Sequence, residues 1–372
     1  MLVKQGVWHE TSAGIYYTHN ETVVFYDDWD HWHNGFCRLL EIHETTARTV
    51  IESCVDAHGE KFNTLNTSDK INLIKEAFRL KYPTEYNKTP NFSVSGMAFD
   101  GTMADTLYAE SISGNESYNI VGNAELQFAW LIDASTQKQV LADSVEYDKL
   151  YFQDPPESHL GMRNYVADQE WRLEKARRQL RIVLTKSNLK PPVKTALDVG
   201  SAVGYFRKAL DESEIEHYGL EQSTDAVEIC AEKFGFSSLL GEIEDLPAMA
   251  PELLGKIELI TLWDVIEHLD DGLLTLNILK QFLTANGVIA IRTPNLVSLE
   301  YEILGDYYYS FKLDHIKYYS PRSLDELAQL CGLKRVYLET TSHIFKGLLG
   351  VDCMHQCTLN NTGADIIAIY SR

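Results

Sequence analysis

The residues whose pattern could do chemistry begin at Leu197, in the run Leu-Asp-Val-Gly-Ser-Ala-Val-Gly-Tyr-Phe. An apolar strand ends in Asp198, a tight turn carries Gly200, Ala202 and Gly204, and a helical period follows. Small residues in such a turn let the backbone come close to a ligand. A dinucleotide site asks for G-x-G-x-x-G. Its second and third glycines fall here on Ala202 and Tyr205, so two of three are missing. A second strand, 217–220, ends at Glu221, 23 residues after Asp198. An acid at that strand end can accept from both hydroxyls of a ribose. After a short third strand comes Gly241-Glu-Ile-Glu. There Glu242 can accept from an adenine amino group, and the Ile243 amide can donate to the ring. Glu244 reads as solvated.

The fourth strand runs into Thr261-Leu-Trp-Asp-Val-Ile-Glu-His-Leu269. Asp264, Glu267, His268 and, further on, His315 are candidate proton acceptors. Histidine suits that task at neutral pH, its unperturbed pKa being about 6.5. Each has a plainer reading as well. His315 can be a structural histidine bonded to backbone, and Glu267-His268 can brace a helix start. The aromatic run Tyr307, Tyr308, Tyr309 and Phe311 can cover a substrate and exclude water.

Taken together, residues from about 151 to 372 resemble the class I S-adenosylmethionine (SAM) methyltransferases. The group includes the ubiquinone-biosynthesis O-methyltransferases and natural-product enzymes. The resemblance rests on Leu-Asp-Val-Gly-Ser-Ala-Val-Gly204, Tyr-Gly-Leu-Glu221-Gln222-Ser, Leu-Trp-Asp-Val-Ile-Glu-His268-Leu, Thr-Pro-Asn295 and His315-Ile-Lys-Tyr-Tyr-Ser-Pro-Arg-Ser-Leu324. It departs from the pattern at Ala202. It implies a Rossmann-like seven-stranded α/β sheet with helices on both faces and SAM as cofactor. Asp198, Gly200, Ala202, Gly204, Glu221, Gln222, Glu242, Ile243 and Trp263 would contact that cofactor, with Tyr151 and Tyr165 closing over it from a helical lid, 151–190. Asp198 would meet the amino end of the methionine. His315, His268 and Asp264 are the catalytic candidates. The resemblance also offers a divalent-ion site at Asp264, Glu267 and His268, which share one helical face. The expectation adopted here is no metal.

The elements that must position these residues follow from periodicity. Strands are expected at 195–199, 217–220, 238–240, 257–262, 288–291, 334–338 and 365–370. Helices are expected at 163–184, 224–234, 272–283 and from Ser320-Pro321 to Gly332. Short runs alternating with helical periods argue for parallel βαβ units. Residues 1–150 read as a mixed α+β domain of open role, serving substrate recognition or oligomerisation. Strands are expected there at 23–26, 124–132 and 140–141, with a turn over 133–138 and a helix over 69–80. His31-Trp-His33 with His43 reads as a polar loop, and Cys353 and Cys357 as ordinary thiols.

The chain has 372 residues, 54 acids against 33 bases and a formal charge of −21, which disfavours nucleic acid as a partner. The resemblance implies a small-molecule substrate as the expected partner, and a homo-oligomer remains open. Hydrophobic content of 45% excludes a disordered chain. No apolar run reaches membrane-spanning length, and residues 1–10 lack a secretion pattern. Six cysteines form no disulfide framework, so a cytoplasmic protein is expected. Methylation of a protein or carrier-tethered substrate, or a SAM-binding scaffold without catalysis, stand as alternatives.

Overall fold

A computed structural model of the chain describes residues 7–11, 14–19, 22–26, 64–81, 98–109, 118–142, 169–308, 310–341 and 356–372. His31, His33, His43, Tyr151, Tyr165 and Cys353 lie outside the described residues. The chain divides into two compact units, neither of them one continuous stretch. The first comprises Met1–Val140, Pro294–Ser320 and Thr340–Asp365; the second comprises Leu141–Thr293, Pro321–Glu339 and Ile366–Arg372.

The first unit opens with an antiparallel meander of β1 (Val7–Thr11), β2 (Gly14–His19) and β3 (Thr22–Tyr26). Helix α1 (Thr67–Lys81) starts where the Asn66 side chain accepts from the Asp69 amide at 2.9 Å. That bond satisfies one donor a helix N-terminus leaves over. Strands β4 (Thr106–Ala109), β5 (Tyr118–Asn123) and β6 (Phe128–Asp133) then pair antiparallel. The single strand expected over 124–132 is thus interrupted. Asn123 Oδ1 accepts from the Leu126 amide at 2.9 Å, and Asp105 Oδ1 accepts from Ala124 at 2.8 Å. Side chains that take up these amides compete with a strand ladder, and Gln127 turns the chain at φ 54°. The expected turn over 133–138 is present: Asp133 Oδ1 accepts from the Ser135 amide at 3.0 Å and from Thr136 at 2.7 Å.

The chain next builds the second unit. Helix α2 (Gln169–Lys186) packs Ala176, Leu180 and Val183 into the core. Then come β7 (Thr195–Val199), α3 (Tyr205–Glu212), β8 (Glu216–Glu221), α4 (Thr224–Phe234), β9 (Leu239–Leu240), β10 (Ile257–Trp263), α5 (Gly272–Phe282) and β11 (Leu283–Pro294). Helix α4 is bounded as its sequence forecasts. The Ser223 hydroxyl accepts from the Ala226 amide at 3.3 Å, and Gly235 ends the helix in the left-handed region. Helix α5 is capped in the same way by Asp271, which accepts from Leu274 at 2.9 Å.

After β11 the chain returns to the first unit with α6 (Leu299–Leu304) and β12 (Lys317–Tyr318), which pairs with β6. Here Asn295, read at the sequence level as part of a motif, is a structural tie. Its Nδ2 donates to the Gly363 carbonyl at 2.7 Å and to Asn361 at 3.1 Å. Helix α7 (Pro321–Leu330), β13 (Lys334–Thr341) and β14 (Asp365–Ser371) complete the chain.

The seven-stranded sheet has the order β13-β14-β11-β10-β7-β8-β9, and β8-β9, β7-β8, β10-β7 and β10-β11 all pair parallel. Ala196, Leu197, Leu259, Ile260, Ile289 and Ala290 are all fully buried, as a parallel sheet covered on both faces requires. The order reverses between β7 and β10, since β8 and β9 continue to one side and β10 and β11 to the other. In open α/β sheets, ligands bind at the carboxyl ends of the strands beside such a switch. Among the described residues no helix is long and apolar enough to cross a membrane.

Candidate active site

The turn after β7 needs its small residues. Gly200 has φ 65°, and a Cβ there would lie 2.6 Å from Val265 Cγ2. Ala202 sits at φ 45°, a region that costs a residue with a Cβ roughly 1–2 kcal/mol. Glu221, at the end of β8, holds that conformation. One of its carboxylate oxygens accepts from the Ala202 amide at 2.8 Å and the other from the Ser223 amide at 2.9 Å. A single side chain thereby ties the turn to the start of α4. Burial pushes the Glu221 pKa up, and those amides pull it back. Gly204 does a different job. A Cβ there would meet Cys230 Sγ at 2.5 Å, so this glycine lets α3 pack against α4 and does not line the cavity.

Over these strand ends lies a cavity of about 640 Å³. Its wall includes Asp198, Gly200, Ala202, Glu221, Gln222, Glu242, Ile243 and Trp263 of the expected cofactor set, and Asp264 and His268 of the catalytic candidates. All lining residues belong to the second unit. Tyr165 is outside the described residues. His315 belongs to the first unit, where its Nδ1 stands 2.8 Å from the Ser310 carbonyl. Two of the aromatic residues near it are core. Tyr308 and Phe311 are fully buried within the first unit and pack edge to face, with ring centres 5.2 Å apart.

The wall also holds residues that sequence reasoning missed. Arg172, Lys175 and Gln179 line the cavity from α2. They recur at i, i+3 and i+7 on a helix whose other stripe is apolar, and that polar stripe was the available signal.

The site is built from buried charge. Asp198 is 3% exposed, and its one hydrogen bond comes from the Thr261 hydroxyl at 2.7 Å. Burial pushes its pKa up to about 7; the Thr261 bond and nearby Arg207 oppose that rise. Asp264 stands at φ 59° and is held differently: Arg292 donates to both its oxygens, and Lys175 Nζ lies 3.8 Å from one of them. Its acceptors are engaged by cations, so it is an anchor rather than a free base. Glu267 is 1% exposed, and neither of its oxygens meets a donor in hydrogen-bond geometry among the described residues. Burial first, and the like charge of Asp264 second, raise its pKa well above the usual carboxylate range. Ser201 Oγ and Trp263 Nε1, both on the cavity wall, are buried without partners among the described residues.

A donor set of this kind suits a ligand that brings its own ammonium and hydroxyl groups. The volume lies within the roughly 300–1,000 Å³ of cofactor pockets. The comparisons agree in kind. Residues 169–338, a little under half of the chain, match a family model described as a methyltransferase domain. No curated protein matches the chain. Among solved structures, a SAM-dependent methyltransferase from Archaeoglobus fulgidus shares 19% identity with a TM-score of 0.41, covering 54% of this chain and 94% of that one. A possible histamine N-methyltransferase from Thermotoga maritima shares 19% with a TM-score of 0.40, covering 56% and 95%. A third, from Mesorhizobium loti, shares 12% with a TM-score of 0.40, covering 54% and 100%. The second unit therefore carries a class I methyltransferase fold.

Proposed function

We propose that the protein transfers the methyl group of SAM to a hydroxyl of a small polar molecule, in cofactor or natural-product biosynthesis in the cytoplasm. In this reading Asp198 receives the amino end of the cofactor's methionine, Glu221 its ribose hydroxyls, and Glu242 with the Ile243 amide its adenine. SAM supplies an electrophilic methyl carbon on a sulfonium. The chain's own work is to orient the acceptor and remove its proton. The observation that carries the proposal is the make-up of the wall beside Trp263. Asp264 is paired with Arg292 and lies near Lys175, and burial raises the pKa of the adjacent Glu267. His268 is left there as the group suited to take a proton near neutral pH. The cations and amide of α2 give the same wall donors for a polar substrate.

The test is a methyl-transfer screen over hydroxylated polar small molecules, read by mass spectrometry, with wild type beside His268→Ala. Loss of a general base lowers turnover about 10²–10⁴-fold. S-adenosylhomocysteine affinity should be unchanged in the same variant. Full turnover by His268→Ala, or acceptance only of amines, would overturn the proposal.

A further inference from the structure

Arg207, on α3, is 2% exposed and takes no part in the cavity wall. Its hydrogen bonds all go to neutral groups: Ser238 Oγ and the Ser237 carbonyl at 2.8 Å, His217 Nδ1 at 3.3 Å and Cys230 Sγ at 3.7 Å. The Phe236 ring lies under it, 5.1 Å from the guanidinium carbon. A buried guanidinium without a carboxylate in contact needs compensation from further away. The sheet shows where that comes from. Thr261, Asp198 and Gly219 form one row across β10, β7 and β8. Side chains in register on parallel strands share a face. Gly219 has no side chain, and Arg207 occupies the space one would fill. A Cβ there would lie 2.8 Å from both Arg207 Cδ and Nη1, and 2.7 Å from the unpartnered Ser201 Oγ. The guanidinium is therefore the next group along the row from the Asp198 carboxyl.

We infer that Arg207 is a positioning residue that keeps Asp198 ionised, and so sets how far into the acid range the protein can capture the ammonium of its cofactor. The inference rests on the reading of Asp198 proposed above. The groups facing Asp198 are few. Thr261 donates to it from β10, Glu221 on β8 repels its charge, and the Cys230 thiol approaches from α4. His217, on the far side of Arg207, is held below its ordinary pKa by burial and by Arg207 itself. Arg207 is the one cation acting on Asp198 among these groups. The Asp198 pKa stands near 7 with this arginine in place. An opposite charge lost from such a position moves a carboxyl upward by about 1–3 units.

The experiment is calorimetry of S-adenosylhomocysteine binding to the full chain from pH 6 to pH 9, in buffers of differing ionisation enthalpy. For wild type, affinity should fall on the acid side of neutrality, with a proton released on binding there. Asp198→Asn should bind more weakly and without that pH dependence. Arg207→Met should move the acid-side break upward by about one unit or more. Taken as a ratio to wild type, which cancels the titration of the ligand, its affinity loss should be about tenfold at pH 7 and vanish near pH 9. Arg207→Lys, which keeps a charge, should stay close to wild type. A ratio that is constant across pH would show a structural role only and overturn the inference. If Arg207→Met does not fold, the wild-type and Asp198→Asn profiles decide, and a flat wild-type profile sinks the idea. Failure of wild type to bind at any pH would instead remove the reading of Asp198 on which it rests.

Discussion

The two units differ in what their interiors are for. In the first, the largest fully buried side chains are rings: Trp130, Phe128, Tyr308, Tyr319 and Phe311. They lie in one another's contact range, with Phe128 5.0 Å from Tyr319 and Phe311 5.4 Å from Tyr301. The Tyr301 hydroxyl donates to the Tyr108 carbonyl at 3.1 Å, so even the polar end is used. Glu300, Lys317 and Asp365 are buried there too, each with an interaction partner. In the second unit the sheet edge buries Asp198 with one hydrogen bond and Glu267 with none among the described residues. Rings leave water at a gain, whereas ionisable groups lose hydration that something must replace. Stability accounts for the first interior. At the sheet edge of the second, a ligand would replace part of the hydration that buried Asp198 and Glu267 give up.

The largest effect that could break this contrast lies in the first unit. Trp130 is fully buried between β5 and β12 in the four-stranded sheet. Trp130→Ala should cost about 3–5 kcal/mol, the range for emptying an aromatic site in a packed core. Thermal unfolding would read it as a transition displaced far downward. A loss below about 1 kcal/mol would mean that the ring cluster is not what holds that unit together.

Next in size is Glu221→Ala. The Ala202 and Ser223 amides would lose their acceptor, and so would the ribose in the proposed binding mode. Charge-assisted hydrogen bonds contribute about 1.5–3 kcal/mol each, so S-adenosylhomocysteine affinity should fall roughly 10²-fold in calorimetry. Glu221→Gln keeps an acceptor and should lose less. Equal affinity in all three proteins would remove Glu221 from the site.

The same contrast explains what could be read in advance. Asp198, Glu221 and Trp263 were visible because a strand end followed by a turn is local, and local spacing survives in a sequence. The parallel strands were visible for the same reason. Other features depend on partners distant in sequence. Tyr308 and Phe311 are fully buried, and the Tyr308 hydroxyl donates to the Ala364 carbonyl, 56 positions on, which nothing near those residues announces. Gly204 was grouped with Gly200 by pattern, yet the atom that excludes a side chain there is Cys230 Sγ, 26 positions on. Arg207 reads as an ordinary surface charge on a short helix until Gly219 is seen to leave it room.

Smaller, but more telling about the second interior, is Asp198→Asn in the protein without ligand. A carboxyl of pKa about 3.9 in the unfolded chain stands near 7 when folded. The folded state therefore binds the extra proton between those values, and stability declines as pH rises through them and stays lower above. Asparagine cannot ionise and escapes that decline, against some loss of compensation for Arg207. The melting temperature of the variant relative to wild type should thus climb between pH 5 and pH 8. Between those two pKa values the difference should grow by about 1.4 kcal/mol per pH unit. A difference independent of pH would show that Asp198 carries no such strain.

The smallest effect comes from comparing ion pairs. Lys75 on α1 and Glu302 on α6 meet in the first unit, but the Glu302 side chain is 53% exposed. Arg292 and Asp264 meet in the second, with Arg292 3% exposed. Water screens the first pair, and such pairs contribute about 0.2–1 kcal/mol. Lys75→Met should accordingly shift the unfolding midpoint by little, and added salt should erase most of the shift. Arg292→Met is a different case, because it strands Asp264 beside Glu267 with only Lys175 to answer it. Two carboxyls at one site cannot both ionise cheaply. That variant should lose stability as pH rises, in a way salt does not repair. If the two substitutions responded alike to salt and pH, the distinction between a surface that merely carries charge and a sheet edge organised by it would fail at its most direct point of comparison.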